Sequence, residues 1–150
     1  MKERALKPDK IKILNFSIIK GAIENPFDFD NSVVAGYDFD MDYEVGFNID
    51  EKLAKTDFQV DIKTQSETHQ DEAKGLFHFS FVFSIENMEE LVKKKKKVDT
   101  VQIDANLGNA LASITYSTSR GILMTRFQGT LLKDFVLPVI DPNNLVNKEE

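Results

Sequence analysis

Four carboxylates stand at alternate positions, Asp38, Asp40, Asp42 and Glu44. On an extended strand this spacing sets neighbours in a row roughly 7 Å apart. Such a row can face water, attract a loosely held cation, or dock a basic partner. Other ingredients of chemistry are sparse. The chain has no Cys, which removes thiolate zinc ligands, a Cys nucleophile and disulfides. Its two His, His69 and His78, are too few for a His-rich metal site, and each reads as a solvated side chain. Ser and Thr are plentiful, yet no Gly-x-Ser-x-Gly elbow and no glycine-rich phosphate loop is present. The expectation is a protein that is not an enzyme and uses no metal or cofactor.

The composition narrows the remaining classes. A length of 150 residues fits one domain with a real core. The net charge of -6 lacks the basic excess of a nucleic-acid binder. The five lysines Lys93 to Lys97 have no basic or aromatic surroundings to build a groove, and read as a solvated connector. No apolar run approaches the roughly 20 residues that span a bilayer, and Met1 to Lys12 carries no apolar signal core. A cytoplasmic domain without membrane insertion is expected. The aromatic balance is unusual: twelve Phe, three Tyr and no Trp. Phe supplies large apolar area with no polar handle, which suits a large core, an oligomer interface or a surface that binds apolar things.

Several elements must position these residues. Residues 1–10 are polar and expected to fray. Ile11 to Glu24 carries apolar residues on both parities, which predicts a strand with a bulge near Ile18-Ile19, or one buried on both faces. Asn25 to Gly36 reads as a polar loop that nonetheless holds Phe27 and Phe29. From Tyr37 to Asp50 every odd residue is apolar and every even one is acidic, Gly or Asn, the signature of a half-buried antiparallel strand. Leu53 to Thr68 repeats the alternation, with Asp57 and Asp61 facing outward and Lys63 as the one opposing charge. Gly75 to Ile85 places Phe77, Phe79, Phe81 and Phe83 on one face. Strands two to four therefore form a predicted meander.

Asn87 to Lys97 is predicted as a short helix with its lysines at the C-terminal end. Asp104 to Gln128 suits a helix through the stripe Leu107, Leu111, Ile114, Thr118 and Ile122, although its Ser and Thr content also suits a strand. The small residues Ala110, Ser113, Ser117 and Gly121 would let another backbone approach. Phe135 to Ile140 contains Pro138, which excludes a central strand and favours an extended segment laid across a surface. Residues 146–150 form a short polar tail.

This order of elements resembles the SecB family of export chaperones. The residues that carry the resemblance are Asn106-Leu107-Gly108 and Ser117-Thr118-Ser119-Arg120-Gly121 in the long helix, Phe83-Ser84-Ile85 at a strand end, and Leu137-Pro138-Val139-Ile140-Asp141-Pro142-Asn143-Asn144-Leu145 in the connection to a last helix. It covers roughly residues 11–145. The resemblance implies an α+β domain spanning the chain, with a four-stranded antiparallel sheet and one long and one short C-terminal helix on one face. It resolves Asp104 to Gln128 as helix and implies a homotetramer built as a dimer of dimers.

The family binds unfolded or precursor polypeptides in apolar grooves. By resemblance the client-binding residues are Phe27, Phe29, Phe127, Leu131, Leu132, Phe135, Val136 and Leu137. Phe27 and Phe29 could equally be a plug on the core. The implied oligomer interface is Ala110, Ser113, Ser117 and Gly121. The implied dock for a partner such as the SecA motor is Asp38, Asp40, Asp42, Glu44, Asp57 and Asp61. Arg126 and Lys133 interrupt the apolar connection, and the tail after Leu145 is short, both departures from the export members. SecB-like proteins also serve single toxin–antitoxin pairs, so an antitoxin is the alternative partner. A different class stays open, a β-rich oligomer that holds a small apolar ligand on its Phe-lined face.

Overall fold

The computed structural model describes residues 5–94 and 101–146. Four long strands form one antiparallel sheet: β1 (Ile11–Glu24), β2 (Val34–Asn48), β3 (Leu53–Ser66) and β4 (Lys74–Ile85). Their order across the sheet is β1-β4-β3-β2, so the predicted meander is present and β1 closes it against β4. One turn of helix, α1 (Met88–Leu91), leads into a small hairpin of β5 (Val92–Lys94) and β6 (Val101–Ile103). The long helix α2 (Ala105–Arg126) and the short α3 (Asn143–Val146) complete the chain.

The two parities of β1 both turn inward, because β1 carries two bulges. Its register against β4 shifts between Ile13 and Asn15 and again between Ile18 and Lys20. Each extra residue reverses the alternation. Ile11 and Ile13 therefore share the inner face with Phe16 and Ile18, and after the second bulge with Ile23. The bulge expected near Ile18-Ile19 is present; the one at Leu14 is not visible in the hydropathy pattern. The two bulged side chains, Leu14 and Ile19, are 58% and 59% exposed.

The inner face is a bed of aromatic rings. Phe58, Phe79, Phe81 and Phe83 are fully buried there, under α2 and the chain that follows it. Tyr116 of α2 meets Phe58 edge-on at 5.7 Å, and the Thr56 and Thr115 hydroxyls share a hydrogen bond of 2.7 Å between sheet and helix. α2 starts where Asp104 caps it, its carboxylate accepting from the Asn106 and Leu107 amides. Its buried face is Leu107, Leu111, Thr115, Ser119 and Leu123, with Gly108, Ala112 and Tyr116 beside it. The expected stripe through Ile114, Thr118 and Ile122 thus lies one position round the helix. Small residues decide the difference, since Ala112, Thr115 and Ser119 let the helix sit close to the rings.

Two further expectations change. The predicted helix over Asn87 to Lys97 shrinks to one turn. Lys93 and Lys94 lie on β5, paired with Gln102 and Val101, because Leu91 and Val92 must be buried on the core side. Lys95 to Lys97 lie outside the described residues. At the N-terminus, Ala5 and Leu6 pack on the core, Pro8–Lys10 form a 3-10 turn, and Asn87 donates to the Ala5 carbonyl. The stretch expected to fray is anchored from Ala5 onward; Met1 to Arg4 and the tail residues 147–150 lie outside the described residues.

Candidate functional site

The chain after α2 is laid over one end of the inner face. Gly129 adopts a φ of +78°, which only glycine takes readily, and turns the chain back after the helix. Tight turns then carry it to an extended run from Phe135. Phe135 packs on Tyr37 and Phe39 at centroid distances of 5.3 and 5.5 Å, and Phe127 on Phe77 at 5.6 Å. The Tyr116 hydroxyl donates to the Pro138 carbonyl and ties the extended run to α2. Asn109 donates to Asn143 and ties α3 to the same helix.

This places the eight expected client-binding residues in two layers. Phe127, Leu132, Phe135 and Leu137 are buried and form a floor. Leu131 and Phe29 are half-buried, while Val136 and Phe27 are open to solvent. Phe27 is fully exposed and is not a plug on the core. Val139, outside the expected set, is 88% exposed beside Pro138, whose carbonyl Tyr116 holds. Its place in an apolar run interrupted by proline was the available signal. The loop after β1 and the segment after α2 meet the same end of the sheet: Leu132 lies against Gly75, which pairs with Ile23 just before the loop, and Phe135 lies on Tyr37 just after it.

The Phe27 loop is braced from the hairpin between β3 and β4. Gln70 accepts from the Asp30 amide and donates to the Asp30 carbonyl, both at 3.0 Å. Its amide also donates to the Ser66 hydroxyl at 2.7 Å. Ser66 and Thr64 donate to the Glu72 carboxylate, at 3.1 and 2.6 Å. The Thr64 hydrogen bond holds the Glu72 carboxyl below the usual carboxylate range, against some desolvation. Asp30 caps its own turn, accepting from the Ser32 hydroxyl and amide, which lowers its pKa.

The outer face carries the six expected acidic residues, but not as an unrelieved acidic sheet. Asp40 stands opposite Asp61 and Glu44 opposite Asp57, two like-charge pairs. Asp38 stands opposite Lys63, which in turn is opposite Lys74, and Lys74 is opposite Glu24. Asp57 bonds His78 at 2.8 Å and reaches Lys55 at 3.8 Å. The expectation that Lys63 was the one opposing charge is overturned, because β4 and β1 bring Lys74, His78 and Lys20 to the same face. An open trough of about 850 Å³ crosses this end, bounded by Asp38, Asp40, Asp61, Lys63 and Lys74. Among the described residues no group of three or more His, Cys, Asp or Glu could hold a metal ion.

The third surface is the apolar edge of the sheet, where the inner face of β1 is only partly covered. β1 is an edge strand, with Ile13, Leu14, Phe16 and Ile19 exposed. Beside it, an apolar notch of about 430 Å³ is lined by Leu6, Ile11, Ile13, Ala110 and Ile114. Of the expected interface residues, Ala110 and Ser113 are half-buried, and Ser117 and Gly121 are exposed. Among the described residues no helix is long and apolar enough to cross a membrane.

No family model matches the sequence, and no curated protein matches it. The fold does have a counterpart. The Mycobacterium tuberculosis Rv1957 SecB-like chaperone, solved in complex with a ChAD peptide from the Rv1956 HigA1 antitoxin, matches with a TM-score of 0.58 and 13% sequence identity. The match covers 88% of this chain and 91% of that one. The chain has a SecB-like fold, α+β with a four-stranded antiparallel sheet, one long helix and one short helix.

Proposed function

We propose that this protein is an ATP-independent molecular chaperone that holds unfolded or precursor polypeptides on apolar surface, in support of protein export. The observation that carries the reading is Phe27, fully exposed on the braced loop after β1, at the end of the sheet where Phe135 packs on Tyr37 and its neighbour Val136 is open. Exposed apolar side chains of this size, set above a firm aromatic floor, suit capture by burial of client surface at about 25 cal/mol per Å². The exposed residues make first contact, and Phe127, Leu132, Phe135 and Leu137 support them from below. The Phe-lined inner face is filled by the protein's own α2, which favours this reading over a small apolar ligand held there.

A second reading is specific. The Rv1957 chaperone was solved with an antitoxin peptide, and this chain shares its fold, so a single antitoxin is the alternative client. In either case the uncovered β1 and α2 surfaces, with Ala110, Ser113, Ser117 and Gly121, pair with further copies to give a homotetramer. The outer row Asp38, Asp40, Asp42 and Glu44, with Asp57 and Asp61, docks a basic partner, the SecA motor in the export reading. The protein acts in the cytoplasm.

The experiment is recovery of the tagged protein from its source cell, with identification of what travels with it, beside an aggregation assay without nucleotide. Secretory precursors and suppressed aggregation support export; one antitoxin supports the second reading. A protein that neither suppresses aggregation nor carries a polypeptide is not a chaperone.

A further inference from the structure

Phe27 is a large apolar side chain held in water. The bonds within its own loop, from the Phe29 amide to the Pro26 carbonyl at 3.3 Å and from Ser32 to the Asp30 carboxylate, shape the turns but do not tie the loop to the rest of the fold. The loop from Asn25 to Val33 has no strand or helix beyond the turn Asn31–Val33. Left free, such a loop would fold its two Phe onto the nearest apolar surface or fluctuate among many shapes. The bonds that cross from it to another part of the chain are few. Val33 accepts from the Glu67 amide at 2.7 Å, and Asp30 is gripped at both its amide and its carbonyl by Gln70, forty residues on.

We infer that Gln70 is a positioning residue for client capture, which holds the Phe27 loop in its open shape before a client arrives. This rests on the reading that Phe27 and Phe29 touch the client. The geometry suits the task. A primary amide matches a peptide group with one donor and one acceptor, so Gln70 fixes the plane of the Asp30 peptide units as well as their distance. Gln70 is itself fixed by Ser66, and Ser66 by Glu72. The support therefore runs from the ends of β3 and β4, through one side chain, to the loop. A loop already ordered in its binding shape loses less entropy on binding, and that difference is read as affinity.

The test compares Gln70→Ala with the parent, in the parent background and in a Phe27→Ser/Phe29→Ser background. The probe is a reduced, carboxymethylated polypeptide that cannot fold. In the parent background Gln70→Ala speeds hydrogen exchange at the Asp30 amide and weakens probe binding by about five- to tenfold. In the Phe27→Ser/Phe29→Ser background it changes probe binding by less than about twofold, since the groups it positions are gone. Gln70→Glu keeps the size of the side chain and sets a carboxylate against the Asp30 carbonyl, so it behaves as Gln70→Ala does. Unchanged probe binding in Gln70→Ala, or an equal loss in both backgrounds, overturns the proposal and leaves the chaperone reading standing. If Phe27→Ser/Phe29→Ser itself binds the probe as the parent does, the loop is not a client contact and both readings of it fail.

Discussion

Gly75 and Leu132 meet where a Cβ on β4 would displace Leu132: a Cβ at Gly75 would stand 2.7 Å from Leu132 Cδ1. The absence of that one carbon lets the segment after α2 lie flat on the sheet. Leu132 is fully buried there, and the neighbouring Phe135 reaches Tyr37 and Phe39. Gly75→Ala should therefore push Leu132 out of its seat and cost about 1–3 kcal/mol. Thermal unfolding reads the loss. Since Leu132→Ala removes the clashing atom while emptying its own buried seat, the double variant should lose less than the sum of the two single losses.

Among the described residues two buried hydroxyls have no hydrogen-bond partner, Tyr43 Oη and Ser119 Oγ. Burial alone raises the Tyr43 pKa far above the ordinary phenol value, so the ring stays neutral. An unpaired buried hydroxyl disfavours the fold by about 1–3 kcal/mol. Tyr43→Phe and Ser119→Ala should each leave stability unchanged or raise it by up to about 1 kcal/mol, the second also through helix propensity. Chemical denaturation measures both; a loss above about 1 kcal/mol in either would reveal a partner for that hydroxyl.

The brace on the Phe27 loop should respond to acid. The folded pKa of Glu72 lies below its ordinary value of 4.5, chiefly through the Thr64 hydrogen bond. The fold thus favours the deprotonated form. That contribution is complete above about pH 4.5 and fades as pH falls through the lower folded value. Hydrogen exchange at the Asp30 and Ala73 amides should accelerate, beyond the intrinsic pH effect, over that acid range. Glu72→Gln should flatten the response.

The assembly has its own test. Ser117 and Gly121 are exposed, and a Cβ at Gly121 would meet nothing within 4 Å. Ser117→Arg/Gly121→Arg should leave the 17.1 kDa chain folded but shift light scattering from an oligomer to a monomer. A parent that scatters as a monomer at micromolar concentration contradicts the proposed assembly.

Legibility in the sequence followed how strictly one face of each element is buried. β2, β3 and β4 alternate cleanly because one face of each meets rings, and their register is unbroken from Gly36 onward, with the one shift at the start of β2 between Val34 and Gly36. β1 hid its geometry, since each bulge reverses parity and apolar residues then look two-sided. On α2 the small residues Ala112, Thr115 and Ser119 carry little hydropathy yet face the sheet, so the apolar stripe pointed one position away. The lysine run drew a helix because its charges complement a helix end, whereas burial of Leu91 and Val92 required a hairpin. The exposed Phe27 stood out as an aromatic in a polar loop; the brace from Gln70 did not, because nothing local links residues forty apart.

The central claim is that the open apolar residues at this end of the sheet capture unfolded chains. Phe135 is part of the buried floor, so its replacement would confuse folding with binding; Val136 is the open neighbour. The direct measurement is the affinity for a reduced, carboxymethylated polypeptide of the parent and of Phe27→Ser/Phe29→Ser/Val136→Ser, at matched thermal stability and assembly size. The account predicts micromolar or tighter binding by the parent without nucleotide, and a loss of about tenfold or more in the variant. Equal affinity of the two proteins for the unfolded chain would contradict it.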